Sequence, residues 1–191
     1  NSRQAGTVVR VLLKVRKPEI EALPGILRRF IPPEGVSFVV NKVAVERPLR
    51  VGQFEATLET VIQDAPGEPV RKTRRQTRVD LYARRCERIE HGEPVWEPGT
   101  LFEMGVPVQR IDTPYLVDVQ QKIPLPPNRD TVSDAYLRDI YAEVLNATVD
   151  RLPQDKASET WVRQALEDER TPVEVAKQVV ERRYGDKVVF W

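Results

Sequence analysis

Three prolines within four residues, from Pro124 to Pro127, restrict the fold of this chain more than any other feature. Proline has no backbone N–H and a fixed φ, so neither a helix interior nor a central strand can continue through this segment. Short apolar runs separated by turn residues precede it, and apolar residues at three- and four-residue spacing follow it. These two periodicities predict an α+β chain, β-rich before the prolines and helical after them.

Local signals predict the individual elements. One helix is expected to open at Pro18, to be interrupted at Pro24 and to end at Pro32. The helical part is expected to begin with a helix capped by Ser133, and its last helix to start in a capping box at 171–174. The remaining predictions are strands at 7–15, 36–40, 43–45, 54–62, 78–83, 102–108 and 116–120, a loop at 90–99 and a helix at 158–169.

The composition excludes several classes of protein. Of the 191 residues, 40% are apolar, which is enough for the core of one large domain or two small ones. The 30 basic and 29 acidic residues leave a net charge of +1, so nothing draws the whole chain to nucleic acid or to a membrane. No apolar run is long enough to span a bilayer and no signal peptide is visible, so we expect a cytoplasmic protein without a membrane partner.

One cysteine, Cys86, and one histidine, His91, limit the chemistry of any site. A single thiol cannot form an internal disulfide, and two such residues are too few for a zinc site. His91 lies in the loop-like sequence Glu-His-Gly-Glu-Pro, where a histidine is usually solvated. Neither a metal site nor a Ser-His-Asp triad is therefore expected.

The pair Gly6-Thr7 opens the first predicted strand. Glycine lets the backbone approach a ligand closely, and the threonine hydroxyl offers one hydrogen bond. The strand, the helix at Pro18 and a hairpin at 36–45 follow in that order. This order resembles the end of the nucleotide-binding domain of the GHKL ATPases, the group of gyrase B, MutL, the ninety-kilodalton heat-shock chaperones and histidine kinases. The resemblance implies that Gly6 and Thr7 lie at the edge of an adenine pocket.

The stretch from Tyr115 to Asn146 is similar to a second GHKL region, in which a strand leads through a loop to a helix. In that region, a transducer domain of the ribosomal S5 domain 2-like type, the loop delivers one cation to the γ-phosphate of ATP. The sequence Pro-Leu-Pro-Pro-Asn-Arg-Asp at 124–130 has the form of the chaperone loop, which implies that Arg129 is the cation and Asn128 a nucleotide contact. Lys122 resembles the lysine of the Gln-x-Lys loop of gyrase and is the second choice, because it is expected to lie on the strand.

The chemistry of Arg129 fits this role. A planar guanidinium can donate two parallel hydrogen bonds to a phosphate. The prolines restrict the loop, so little chain entropy remains to be lost when the cation binds. The N-terminus of the helix at Ser133 also favours an anion. The alternative is that Arg129 only forms a salt bridge with Asp130 or Asp134.

The resemblance covers roughly residues 6–146 and implies three parts. Residues 1–48 would end a nucleotide-binding domain, 49–150 would form the transducer-like sensor domain, and 151–191 would be a helical extension. The Mg²⁺-binding acid and asparagine, the Asp-x-Gly and the glycine-rich lid of the family are missing. The chain alone is therefore expected neither to bind nor to hydrolyse ATP. ATP and Mg²⁺ would be bound by an N-terminal ATPase part of the same polypeptide, closing as a homodimer.

Both ends of the chain are consequently expected to have been cut from a longer protein. The chain starts at Asn1 and stops on the apolar run 188–191, which a natural domain would seldom leave exposed. The alternative is a terminal strand that docks into its own sheet.

A basic segment at 71–78 offers a different function. Its five cations could follow a phosphate backbone on one face of a strand, which predicts a nucleic-acid-binding module. The ordinary alternative is a hairpin edge protected by charge, and a further alternative is an interaction domain whose helices after Leu152 dock onto a partner. The five cations are Arg71, Lys72, Arg74, Arg75 and Arg78.

Overall fold

The computed structural model describes residues 10, 12, 14–126 and 131–185. The α-helices in these ranges are α1 (Lys17–Leu27), α2 (Asp134–Thr148), α3 (Thr160–Leu166) and α4 (Val173–Tyr184). The strands are β1 (Val39–Val40), β2 (Val43–Ala44), β3 (Arg50–Ile62), β4 (Arg71–Ala83), β5 (Cys86–Glu90), β6 (Glu93–Trp96), β7 (Thr100–Glu103), β8 (Val106–Arg110) and β9 (Tyr115–Val119). The predicted α+β class, β-rich first and helical last, is confirmed.

Five strands form one mixed sheet in the order β3-β4-β9-β7-β8. β3, β4 and β9 are antiparallel neighbours, β9 runs parallel to β7, and β7 and β8 form an antiparallel hairpin. The hairpins β1–β2 and β5–β6 lie outside this sheet. β9 is therefore the central strand, and the chain leaves the middle of the sheet when it enters the proline segment.

The short connection from β8 to β9 contacts Gly99, the residue that precedes β7. The N–H of Ile111 donates to the carbonyl oxygen of Gly99 at 2.9 Å. A Cβ added to Gly99 would lie 2.1 Å from the carbonyl oxygen of Thr113, a distance that no side chain tolerates. Glycine at position 99 thus lets the connection cross closely enough to place β9 beside β7.

Helices α2, α3 and α4 share a core with one face of the sheet. The helical periodicity after Ser133 is confirmed, because α2 buries the side facing this core. The rings of Tyr141 and Trp161 stack obliquely at 6.5 Å, joining α2 to α3. Burial of each such large side chain contributes roughly 1.5–3 kcal/mol. The largest fully buried members of the core are Leu58, Leu81, Leu101, Ile123, Ile140, Leu145 and Trp161.

A smaller apolar cluster lies elsewhere, where Ile31 is buried with Tyr82, Phe102 and Leu116. The N–H of Ile31 donates to the carbonyl oxygen of Gly105 at 2.9 Å. Gly105 and the preceding Met104 form the two-residue turn of the β7–β8 hairpin, with φ values of 83° and 48°. Positive φ at both positions is what a type I′ turn requires. The segment after α1 is therefore attached to the tip of this hairpin.

One strand prediction and one loop prediction are wrong because each overlooked a two-residue turn. Residues 102–108 are not one strand, because the turn at Gly105 divides them between β7 and β8. The loop predicted at 90–99 contains β6, which pairs with β5 across His91 and Gly92. His91 has a φ of 51° and Gly92 a φ of 87°, so this turn too uses two positive φ values. Both turns lack the Asn-Gly or Asp-Gly signature that usually reveals a hairpin.

Two helix predictions are also wrong. Pro24 does not interrupt α1, because it lies near the end of an 11-residue helix and removes only one late hydrogen bond. The capping box before α4 is absent, since the hydroxyl of Thr171 donates to the carbonyl oxygen of Ala165 at 2.6 Å instead. Among the described helices, none is long and apolar enough to cross a membrane.

Candidate functional site

The segment between β9 and α2, residues 120–133, is named the proline loop. Its first part is fixed to the sheet by hydrogen bonds from two sides. The hydroxyl of Thr60 donates to the carbonyl oxygen of Lys122 at 2.7 Å, and the N–H of Ile123 donates to Glu103 Oε2 at 2.7 Å. Ile123 and Pro124 are buried. The backbone is thus held between β3 and β7 before the loop reaches its tip.

The last part of the proline loop is fixed as well. The N–H of Val132 donates to Gln109 Oε1 of β8 at 2.7 Å, and the Val132 side chain is buried. The hydroxyl of Ser133 accepts from the N–H of Tyr136 at 3.3 Å, which confirms the predicted cap of α2. Both ends of the loop therefore rest on regular structure.

The tip of the proline loop, residues 127–130, lies outside the described residues. The roles of Arg129 and Asn128 consequently stay predictions, as do those of Gly6 and Thr7, which also lie outside these ranges. The alternative partner Asp134 is exposed at the first position of α2 and makes no ion pair with a described residue. Both the phosphate contact and the salt bridge therefore stay open as predictions for Arg129.

Lys122 lies at the exposed start of the proline loop. The prediction that it lies on the strand is wrong, because β9 ends at Val119 and its pairing with β4 stops there. The Lys122 ammonium makes no ion pair with any residue in the described ranges. It is therefore an exposed cation at the base of the same loop that carries Arg129.

The basic segment belongs to β4, and most of its charges are neutralised. Two cations pair across the hairpin: Arg71 with Asp64 and Lys72 with Glu59, each at 2.8 Å. The bond from the Arg71 guanidinium lowers the pKa of the exposed Asp64 carboxyl. These pairs favour the protected hairpin edge over a surface that follows a phosphate backbone.

Two more cations of β4 contact buried acids. Arg74 Nη2 lies 3.3 Å from Asp139 of α2, which also pairs with Arg170. Arg78 Nε lies 3.2 Å from Asp80 of the same strand. Of the five predicted nucleic-acid contacts, only Arg75 makes no ion pair with a described residue.

A pair of buried carboxylates was missed by the sequence analysis. Asp80 of β4 and Asp118 of β9 are directly opposite each other in the sheet and are 0% and 3% exposed. Asp118 Oδ1 accepts from the N–H of Gly105 at 2.8 Å, and its Oδ2 accepts from Gln120 at 2.7 Å. The available signal was an acidic residue at the centre of two apolar strands, Val-Asp-Leu and Val-Asp-Val.

The two carboxylates differ in their surroundings. Burial raises the pKa of the Asp118 carboxyl and the charge of Asp80 adds to this, whereas the two hydrogen bonds to Asp118 oppose it. Asp80 has Arg78 at 3.2 Å and Arg50 at 3.8 Å, but neither oxygen accepts a hydrogen bond from a described residue. Cations therefore contact Asp80, whereas Asp118 is held by hydrogen bonds.

Arg47 connects this pair to the segment that precedes β3. Its Nη2 donates to the hydroxyl of Tyr82 at 2.6 Å, and its guanidinium lies 5.5 Å from the centre of the Tyr82 ring. Glu34 lies 3.5 Å from Arg47 and 3.6 Å from Arg50. The bond from the Ile31 N–H to Gly105 in the β7–β8 turn adds to this link. Polar contacts therefore join residues 31–50 to the sheet at both ends of this segment.

The residues that the structure describes contain no group of three acidic, histidine or cysteine side chains that could hold a metal ion. The fold and the site define an α+β protein in which a proline loop joins a central strand to a capped helix. Comparison of the chain with protein-family models, curated proteins and solved structures gives no match. A functional assignment therefore depends on the chemistry of the residues themselves.

Proposed function

We propose that this chain is the nucleotide-sensing part of a GHKL-type ATPase, in which the proline loop delivers a cation to the γ-phosphate. The observation that carries the proposal is the fixation of both ends of this loop. Its first part is bonded to β3 and β7, and its last part to β8 and the cap of α2. These bonds fix the two points from which residues 127–130 start and end, which supports a role for this loop in positioning a cation.

A fixed base matters because positioning accounts for much of phosphoryl-transfer catalysis. A cation on a mobile loop would lose conformational entropy on each binding event, whereas a held loop has lost it on folding. Arg129 is the first choice because guanidinium matches phosphate geometry, and Lys122 is the second. The exposure of Lys122 at the loop base supports its retention as an alternative.

The proline loop is also placed to transmit the signal. It connects β9 and α2, and both contribute to the main core. Movement of the tip would therefore act on the sheet and on α2 together. Asp118 of β9 accepts from Gly105, whose carbonyl oxygen accepts from Ile31, and Arg47 donates to Tyr82 of the neighbouring β4. These bonds link the sheet to the part of the chain up to residue 48, which would end the nucleotide-binding domain.

The nucleotide and its metal are assigned to another part of the polypeptide. Since no metal-binding cluster exists among the described residues, Mg²⁺ and the body of ATP would be held by the N-terminal ATPase part. Gly6, Thr7 and Asn128 would contact the edge of the nucleotide, and closure of a homodimer would follow ATP binding. The 191-residue chain alone is expected to be inactive.

The test is the replacement Arg129→Ala in the full-length ATPase. Removal of one positioned charge from a developing anion typically lowers kcat by about 10²–10³, and we expect this loss with little change in the dissociation constant of ATP. Arg138→Ala is the matched control, because Arg138 is an exposed α2 arginine without an ion pair to a described residue.

Lys122→Ala in the same protein separates the two candidate cations. A loss of turnover only in this variant would move the role from Arg129 to Lys122. Unchanged turnover in both variants, or ATP hydrolysis by the 191-residue chain alone, would remove the proposal.

A further inference from the structure

A cavity of about 270 Å³ lies where three parts of the chain meet. Arg29, just after α1, forms one side, and Glu87 and Glu97 of the β5–β6 region form another. The β7–β8 hairpin supplies the third side, where the half-buried Pro107 and Val108 form an apolar floor above the buried Phe102. The cavity thus combines an apolar floor with a charged rim.

The four charged residues that line the cavity are two acids and two arginines, and they differ in their ion pairs. Glu97 is paired with Arg85 at 3.5 Å and accepts the backbone N–H of Arg85 at 2.8 Å. Glu87 lies 4.0 Å from Arg88. The remaining rim cations, Arg29 and Arg110, make no ion pair with a described residue. Arg29 and Arg110 are thus the lining cations without an ion pair among the described residues, whereas Glu87 shares Arg88 with Glu90, which lies closer at 2.8 Å.

The size of the cavity limits what it can hold. An apolar cavity of about 150 Å³ accommodates a benzene molecule. A cavity of about 270 Å³ can therefore hold one ring together with a single anionic group. Pockets for drug-sized ligands are larger, roughly 300–1,000 Å³, so this cavity fits a small monoester better than a nucleoside triphosphate.

We propose that this cavity binds a small organic phosphate monoester, with its dianion between Arg29 and Arg110 and its apolar body on Pro107 and Val108. Two guanidinium groups match a doubly charged phosphate better than a singly charged carboxylate. The apolar floor selects an ester over inorganic phosphate, because it gains free energy only from a ligand with apolar surface. This site is independent of the proposed role of the proline loop.

The experiment is a calorimetric titration of the 191-residue chain with phenyl phosphate at low salt and neutral pH. We expect saturable binding, weaker binding of inorganic phosphate because it has no apolar body, and weaker binding of benzoate because it carries one charge. Arg29→Ala and Arg110→Ala should each weaken phenyl phosphate binding about tenfold or more, since a charge-assisted hydrogen bond is lost.

Arg138→Ala is the control, because it removes an exposed arginine outside the cavity. Arg110→Lys keeps the charge but not the bidentate geometry, so it should bind more strongly than Arg110→Ala and less strongly than the unmodified chain. The proposal is overturned if phenyl phosphate does not bind at roughly millimolar concentration. It is equally overturned if the Arg29 and Arg110 variants bind as Arg138→Ala does.

Discussion

Replacement of Gly99 by alanine tests the crossing that places β9 at the centre of the sheet. The new methyl carbon would lie 2.1 Å from Thr113 O, 2.7 Å from Ile111 O and 3.1 Å from the Thr113 carbonyl carbon. All three atoms are backbone, so no side-chain rotation can relieve the contact. The connection from β8 to β9 would have to move away as a whole.

The expected cost of Gly99→Ala has two parts. Overpacking in a well-packed region costs about 1–3 kcal/mol. Displacement of the connection also breaks the bond from the Ile111 N–H to Gly99, which contributes about 1 kcal/mol. We therefore expect a loss of about 3 kcal/mol, a large fraction of the roughly 5–15 kcal/mol that stabilises a typical domain.

Urea unfolding measures this loss as a lower midpoint at an unchanged slope. Gly25→Ala is the control, because a Cβ at Gly25 meets no atom within 4 Å and alanine favours helix α1. Its midpoint should stay the same or rise. If Gly99→Ala is as stable as the unmodified chain, the described crossing of the connection and β7 is wrong.

Two further predictions concern buried polar groups. Burial raises the pKa of Asp118, so this carboxyl holds its proton more tightly in the folded state and destabilises the fold increasingly as pH rises from about 4 towards neutral. Asp118→Asn should therefore gain stability relative to the unmodified chain over that range. A constant difference in urea midpoints would contradict this. Gln109→Ala leaves the N–H of Val132 without its acceptor, so hydrogen exchange at Val132 should accelerate about tenfold or more. Gln76→Ala, which replaces an exposed residue of β4, is the control and should leave this exchange rate unchanged. Equal exchange rates at Val132 in the two variants would show that Gln109 does not hold the loop.

Elements with a strong local signal could be predicted from the sequence. Ser133 followed by apolar residues at helical spacing predicted α2 and its cap, and Pro18 predicted the start of α1. The alternation from Phe54 onward predicted the buried face of β3. In each of these elements the residues that decide the conformation lie within a few positions of one another, so tertiary contacts only reinforce the local preference.

Elements that depend on distant contacts could not be predicted. The division of 102–108 into β7 and β8 depends on Gly105, whose N–H is bound by Asp118 and whose carbonyl oxygen is bound by Ile31. The placement of β9 beside β7 depends on the approach of Thr113 to Gly99. These contacts join residues that are far apart in sequence and have no periodic signature.

The candidate site was predictable only in outline. The proline run predicted a loop between a strand and a capped helix, and the structure has this order. The groups that hold the loop, Thr60, Glu103 and Gln109, come from three other strands and carry no signal in the sequence. For the same reason the opposition of Asp80 and Asp118 became visible only once β4 and β9 were paired.

Hydrogen exchange of the proline loop in the proposed full-length ATPase tests the central claim most directly. The comparison is between a complex with a non-hydrolysable ATP analogue and a complex with ADP, which differ by the γ-phosphate alone. We expect amides within residues 120–133 to exchange about tenfold more slowly with the ATP analogue, and this difference to disappear in Arg129→Ala. Identical exchange of the loop in the two complexes would contradict the proposed sensing of the γ-phosphate.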